Sequence, residues 1–204
     1  MNYKKRGRDV FDVVVCVILS LLALIALFRI AFGFTYVKVY VVGSSMDGTL
    51  TGASRKDRAG GDYVYIFRTS SPSRGDIVVI KTDDEPIIKR VIALGGDTVA
   101  LKSGVLYVNG SVVDEPYVKE ENNSASNPKN TFSEITVPKG EMFFLGDNRD
   151  VSVDSRSDKY GTLPVGNTMG VVADWSLSFK SLFTSVNTFF DFKLGGGSSG
   201  FYGG

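Results

Sequence analysis

The residues best suited to chemistry are a serine and a lysine. Ser45 lies in Val42-Gly43-Ser44-Ser45-Met46-Asp47-Gly48-Thr49-Leu50, and Lys89 in Ile87-Ile88-Lys89-Arg90-Val91-Ile92. A serine hydroxyl is a weak nucleophile until a neighbouring base takes its proton, and the usual base is histidine. This chain of 204 residues contains no histidine. A Ser/His/Asp triad is therefore excluded, and the remaining bases near neutral pH are a desolvated lysine or a carboxylate with a raised pKa. A Ser/Lys dyad is the leading chemistry.

In an extended strand Ile87, Lys89, Val91 and Ala93 share one face, and Ile88, Arg90, Ile92 and Leu94 the other. Both faces are apolar, so Lys89 is expected to lose hydration, which disfavours its ammonium form. Arg90 cannot serve as the base, because a guanidinium stays protonated. Two plainer readings stand beside this one: Ser45 as a hydroxyl in a Gly/Ser turn, and Lys89-Arg90 as a pair snorkelling from a sheet edge. A third polar segment runs from Gly146 to Arg156, with Asp150, Ser152 and Asp154 at alternate positions. It fails as a calcium loop, since Ser155 stands where glycine is needed and Gly161 where the terminal glutamate is needed. The only cysteine, Cys16, excludes an intrachain disulfide and a Cys/His zinc site.

The elements that must position these residues follow from composition and periodicity. An apolar content of 43% argues against disorder, and a net charge of +1 gives no global attraction to nucleic acid. Lys4, Lys5, Arg6 and Arg8 precede a 16-residue uncharged run, Val13 to Phe28, and after Arg29 the uncharged run resumes to Val37. The pattern predicts one transmembrane helix over 11–32, with a cytoplasmic basic N-terminus (1–10) and everything after residue 35 outside. A cleavable export signal with Ala31-Phe32-Gly33 as its cleavage site is the rival reading. Beyond it, strands are expected at 35–42, 62–67, 76–81, 86–94, 97–102, 133–137, 141–145 and 171–177, with a hairpin over 105–113 turning at Asn109-Gly110. Residues 51–61 and 119–131 read as surface loops. From Trp175 to Phe190 aromatic and aliphatic residues recur at helical steps, an amphipathic stripe that would either pack on the domain or lie at a lipid interface; a flexible Gly/Ser-rich tail follows Gly195. The domain plan is thus 35–177 for an extracytoplasmic β-rich domain and 178–204 for the amphipathic segment and tail.

Ser45, the lysine segment and the acidic segment, in that order behind an apolar anchor, resemble the bacterial type I signal peptidases, in the Gram-positive-like single-pass form. Ser45-Met46-Asp47-Gly48-Thr49-Leu50 fits that family's Ser-Met-x-Pro-Thr-Leu pattern except at Gly48. Arg74 to Val79 matches its Arg-Gly-Asp-Ile-Val-Val box. Lys89 to Asp97 matches the lysine box, with Gly95 in place of proline, and Gly146-Asp147-Asn148-Arg149-Asp150 is unbroken. The resemblance covers about residues 10 to 175 and implies an antiparallel, barrel-like β domain behind one transmembrane helix. It also implies a serine endopeptidase, needing no cofactor, that removes signal peptides from secretory preproteins. Ser45 would attack, Lys89 would be general base and then acid, and Ser152 would hydrogen-bond the lysine amine. Asp154, paired with Arg156, would brace that loop, and the Ser45 N–H would be the oxyanion donor, with Gly43 standing where some relatives carry a serine. The signal peptide would bind as an added strand, in a cleft between the segments leading into Ser45 and Lys89, with small pockets at −1 and −3. Gly48 and Gly95 would loosen the backbone and make the enzyme slower or choosier, or a low-activity factor in surface or pilus assembly. Self-cleaving regulators that use Ser/Lys chemistry fit less well, since no DNA-binding segment is present.

Overall fold

The structure, a computed structural model, describes residues 3–54, 60–68 and 71–186. It divides into two units, residues 1–37 and 38–204. The first is a 33-residue helix, α1 (Tyr3–Thr35), longer at both ends than the predicted 11–32. No proline interrupts it, and the hydroxyls of Ser20 and Thr35 donate back to the carbonyls of Cys16 (2.8 Å) and Ala31 (3.1 Å), so polar residues do not break the ladder. Ala31-Phe32-Gly33 lies inside the helix. Its apolar part, Val10–Thr35, has a mean hydropathy of 3.0 over its most apolar window. At 1.5 Å per residue it rises about 39 Å, enough to cross a hydrocarbon core of about 30 Å.

The second unit is built from two antiparallel sheets. Its strands are β1 (Tyr36–Tyr40, entered directly from α1), β2 (Tyr63–Phe67), β3 (Ile77–Ile80), β4 (Ile87–Leu94), β5 (Thr98–Lys102), β6 (Val105–Val108), β7 (Ser111–Val112), β8 (Phe132–Thr136), β9 (Glu141–Leu145), β10 (Leu163–Pro164) and β11 (Thr168–Val172). The larger sheet runs β1-β2-β11-β3-β4-β9-β10 and the smaller β7-β6-β5-β8. The mainly β, antiparallel expectation is met. Asn109 (φ 52°) and Gly110 (φ 75°) take the left-handed conformations that a tight hairpin turn between β6 and β7 requires.

Strand β4 lies between β3 and β9, pairing Val78 with Lys89 and Arg90 with Leu145. Lys89 is therefore central, which rules out the reading that it snorkels from a sheet edge. The register between β4 and β9 slips between Val91 and Ala93, so that Val91 faces Phe144 and Ala93 faces Phe143, with Ile92 as the extra residue. A bulge of this kind adds twist. Here it carries the strand from one core to another: Val91 packs with Val78, Ile80, Ile87, Met142, Phe144 and Val171 under the large sheet. Ile92 and Ala93 instead join Val99, Leu101, Leu106, Val108, Val137, Phe143 and Leu145, which belong to both sheets.

Two expectations need correction. The last strand is Thr168–Val172 rather than 171–177, because Asp174 begins a short helix, α2 (Asp174–Ser178), and residues 180–186 are also helical. Residues 119–131 are not a plain loop: they hold 3-10 turns at Glu120–Asn122 and Pro128–Asn130. In the stripe after Trp175, that residue and Phe183 pack on Tyr65, while Phe179, Leu182 and Val186 are exposed; Phe189, Phe190 and the Gly/Ser-rich tail lie outside the described residues, as does much of 51–61.

Phe143 belongs to the cluster that joins the sheets, so Phe143→Ala is expected to lower unfolding free energy by about 3–5 kcal/mol. Denaturant titration of detergent-solubilised protein measures this, and a loss below about 1 kcal/mol would mean that the cluster does not hold the sheets together.

Candidate active site

The nucleophile candidate sits on a turn that begins where β1 runs on past its last residue. Val42 makes a parallel bridge with Ala53, and the Gly43 N–H donates to the Ala53 carbonyl at 2.9 Å. The two segments approach so closely that a Cβ on Gly52 would lie 1.7 Å from the Gly43 carbonyl oxygen. From there Asp47 N–H donates to Ser44 O, and Thr49 and Leu50 N–H both donate to Met46 O, closing a compact turn. Met46 and Leu50 are buried beneath it, which leaves Ser45 at the rim, 6% exposed. The Ser45 carbonyl accepts from Asn148 N–H at 3.0 Å, tying the turn to the acidic segment.

Lys89 arrives from β4 with no exposed surface. Its Nζ donates to Ser45 Oγ at 2.9 Å and to the Ile88 carbonyl at 3.0 Å. A cavity of about 510 Å³ opens on Ser45, lined by Gly43, Ser44, Gly52, Ala53, Ser54, Val151 and Val153. Its walls are small residues and backbone, which suits an extended peptide better than a bulky rigid ligand.

Gly48 does not loosen this turn. Its φ is +127°, outside what proline can adopt, and a Cβ there would lie 2.6 Å from the Tyr117 carbonyl oxygen. Gly95 is similarly enclosed, since a Cβ would meet backbone atoms of Pro138, Lys139 and Gly140 at 2.7–2.9 Å. Both glycines are therefore positions of close backbone packing, and the expectation of a less ordered nucleophile loop is corrected.

Arg90, on the opposite face of β4 from Lys89, holds the back of the same turn. Its Nε and Nη2 bind both Asp147 carboxylate oxygens (2.9 and 2.7 Å), Nη1 donates to Gly75 O (2.8 Å), and Nη2 also donates to Thr49 Oγ1 (3.0 Å). The Thr49 hydroxyl in turn donates to Asp147 at 2.6 Å. Burial opposes the Arg90 charge, but the Asp147 hydrogen bonds and charge outweigh it and push its pKa above the ordinary value. The Tyr117 ring lies over the guanidinium at 3.7 Å, and its hydroxyl donates to Glu115, the partner of fully buried Arg149. Burial, together with Glu115, pushes the Tyr117 phenol well above its usual pKa.

The acidic segment is braced from both sides. Asp154 accepts from Gly146 N–H (3.0 Å) and from Arg156 Nε and Nη2 (2.8 and 2.9 Å). Burial raises its pKa, but the Arg156 bonds and charge and the Gly146 N–H prevail, so it lies below the ordinary 3.8. Arg156 reaches on to Asn130 Oδ1 (2.6 Å), and Asn130 Nδ2 donates to Asp150 (2.7 Å), which also accepts from Asn127 and Ser124. Asn122 joins the same brace to the nucleophile turn through the Asp47 carbonyl (3.1 Å). Ser152 is buried beside Asp154, and its hydroxyl has no hydrogen-bond partner of proper geometry, so the bond to the Lys89 amine implied by the resemblance is not formed here. Its Oγ instead crowds Gly146, where a Cβ would be 2.3 Å away.

Sequence reasoning brought forward Gly43, Ser45, Lys89, Ser152, Asp154 and Arg156, and all six fall around this turn. It missed Asp147 as the partner of Arg90, together with Tyr117, Glu115, Asn122 and Asn130. Only Asp147 carried a signal, as part of the Gly-Asp-Asn-Arg-Asp box.

A family model described as "Signal peptidase, peptidase S26" matches residues 11–175. The chain belongs to this family. Similar proteins include a signal peptidase I from Bacillus licheniformis, 35% identical over 71% of this chain and 75% of its own length. Signal peptidase I U from Bacillus subtilis is 36% identical over 75% of this chain and 81% of its own. Among solved structures, a signal peptidase I from Enterococcus faecalis aligns at 31% identity with a TM-score of 0.44, covering 51% of this chain and 98% of its own. The S26 match ends at residue 175, so the rest of the C-terminal segment lies beyond it.

Two outcomes follow for this site. Gly48→Pro, which restores the family's usual residue, is expected to lower stability by about 2–3 kcal/mol and to reduce activity, read by thermal melting and a cleavage assay; a faster, more stable variant would mean that the turn is free to relax. Because the Asp154 carboxyl is held below 3.8, its contribution to stability is present above about pH 4 and is lost as pH falls through its lower folded value. Asp154→Asn should therefore be less stable than wild type at pH 7, with the deficit shrinking below about pH 4. Melting temperatures that differ by a constant amount from pH 7 to pH 2 would contradict this.

Proposed function

We propose that this chain is a membrane-anchored serine endopeptidase that removes N-terminal signal peptides from exported preproteins, with Ser45 as nucleophile and Lys89 as base. The observation that carries the reading is the 2.9 Å separation of Lys89 Nζ and Ser45 Oγ, with the lysine wholly enclosed. Membership in the S26 family, and relatives whose names read signal peptidase I, support the activity and the substrate class.

Removing an amine from water disfavours its ammonium form, which is the physical basis for a lysine that accepts a proton near neutrality. The neutral amine takes the Ser45 proton as Oγ bonds to the scissile carbonyl carbon. The resulting ammonium then protonates the leaving amine as the C–N bond breaks, and water, deprotonated by the same lysine, hydrolyses the acyl-enzyme. The Ser45 N–H, two residues after Gly43 in its left-handed conformation (φ 86°), is the oxyanion donor in this reading. Arg90 and Asp147 hold the turn, and Asp154 and Arg156 hold the segment beside it. The signal peptide binds extended against the small-residue walls around Ser45.

The helix Val10–Thr35 serves as the anchor, with the basic N-terminus cytoplasmic and the β-rich unit on the outer side of the cytoplasmic membrane. A substrate whose own apolar segment lies in that bilayer meets the enzyme at raised effective concentration. No observation favours the alternative of a pilus or surface assembly factor with little proteolysis.

Detergent-solubilised wild type is expected to cut a preprotein at its signal peptide, whereas Ser45→Ala and Lys89→Ala fall by at least about a thousandfold in kcat, as loss of a nucleophile or its base does. Gel and mass analysis of the products measures this, and equal cleavage by all three proteins would reject the dyad.

A further inference from the structure

The C-terminal segment that begins where the family match ends is docked on the second strand. Trp175 stacks on Tyr65 of β2 at 5.4 Å between ring centroids, and Phe183 meets both rings edge-on at 5.3 and 5.8 Å. Two hydroxyls fix its height along the strand: Ser176 Oγ accepts from Tyr65 N–H (3.1 Å) and Thr184 Oγ1 from Tyr63 N–H (3.2 Å). Between these anchors the side chain of Lys180 reaches the nucleophile turn.

Its Nζ donates to the Thr49 carbonyl and lies 3.2 Å from the Asp62 carboxylate. That same carboxylate oxygen accepts from Thr51 N–H at 2.8 Å. One ammonium therefore joins Thr49 to the group that holds Thr51. Thr49 is already fixed twice, by its N–H to Met46 O and by its hydroxyl to Asp147. Lys180 captures its remaining polar group, the carbonyl, four residues after Ser45. Chemistry that depends on a hydroxyl held within hydrogen-bond reach of an amine is sensitive to shifts of about 1 Å, which can cost on the order of a hundredfold in rate.

We infer that Lys180 is a positioning residue for Ser45: the C-terminal segment, outside the region shared with the family, acts as an intramolecular strap that holds the exit of the nucleophile turn. This rests on the reading of Ser45 as nucleophile. It touches no substrate, so its loss acts on the reacting geometry and leaves substrate binding intact.

The test uses the full chain in detergent micelles, comparing wild type, Ser45→Ala, Lys180→Met and Lys180→Arg for cleavage of a preprotein over a range of concentrations, with thermal melting of each. Lys180→Met is expected to lower kcat about tenfold with KM within twofold and to stay folded at the assay temperature, while Lys180→Arg, which can still donate to the carbonyl and pair with Asp62, recovers most of the rate. If Lys180→Met does not fold, Lys180→Gln, which keeps one donor, is judged by the same split between kcat and KM. An unchanged kcat, a change confined to KM, a rate loss that only tracks the folded fraction, or no recovery with arginine would overturn the inference. Ser45→Ala separates the two readings: full activity there would sink the proposed function, whereas an inactive Ser45→Ala beside a fully active Lys180→Met would sink only the strap.

Discussion

Strand β4 buries two basic side chains at adjacent positions, and the site depends on both. An isolated charge taken out of water costs several kcal/mol unless a counter-charge and hydrogen bonds replace its hydration. Arg90 receives a bidentate carboxylate, a carbonyl, a hydroxyl and an aromatic face. Lys89, one residue earlier and on the other face, meets a serine hydroxyl and the carbonyl of its own neighbour. Full compensation keeps the Arg90 charge where it is needed for structure, while Lys89 is held within hydrogen-bond reach of the Ser45 hydroxyl. Alternation along a strand is enough to send adjacent residues to opposite faces, one behind the nucleophile turn and one to the Ser45 hydroxyl.

The same strand sets the geometry of everything near it. Its central place between β3 and β9 denies Lys89 a route to solvent, and the bulge at Ile92 turns its far end into the core shared by both sheets. The nucleophile turn is then held against β4 from behind by Arg90 and Asp147, and at its Ser45 carbonyl by Asn148. Around this, Asn130 links Asp150 to Arg156, so the segment carrying Ser152 is gripped by a stretch that has no regular strand of its own. Rigid placement comes from side-chain amides and guanidinium groups as much as from the sheets.

Much of this was legible in the sequence because it rests on local signals. The absence of histidine singled out a lysine, the apolar run marked the helix, and Asn109-Gly110 marked the hairpin. What was missed depends on contacts between distant segments. Nothing local tells that Tyr117 will cover Arg90, that Asn130 will be buried between Asp150 and Arg156, or that Lys180 will find Thr49. The last strand was misplaced because Val171 to Leu177 is apolar enough for either strand or helix, and the choice was made by docking of Trp175 on Tyr65. Glycine in place of proline at position 48 looked like lost stiffness, but it reflects the crowding of a carbonyl that belongs to a residue nearly seventy positions away, a relation no pattern along the chain encodes.

Gly146 and Gly52 show what such crowding means for substitution near the site. A single added carbon at Gly146 would overlap both the Ser152 hydroxyl and the Ser45 carbonyl, and at Gly52 it would overlap the Gly43 carbonyl. Every other amino acid carries at least that carbon, so no stepwise substitution can pass through these points while the turn keeps its shape. A side chain at either position would force the Ser45 turn or the segment packed against it to move as a body.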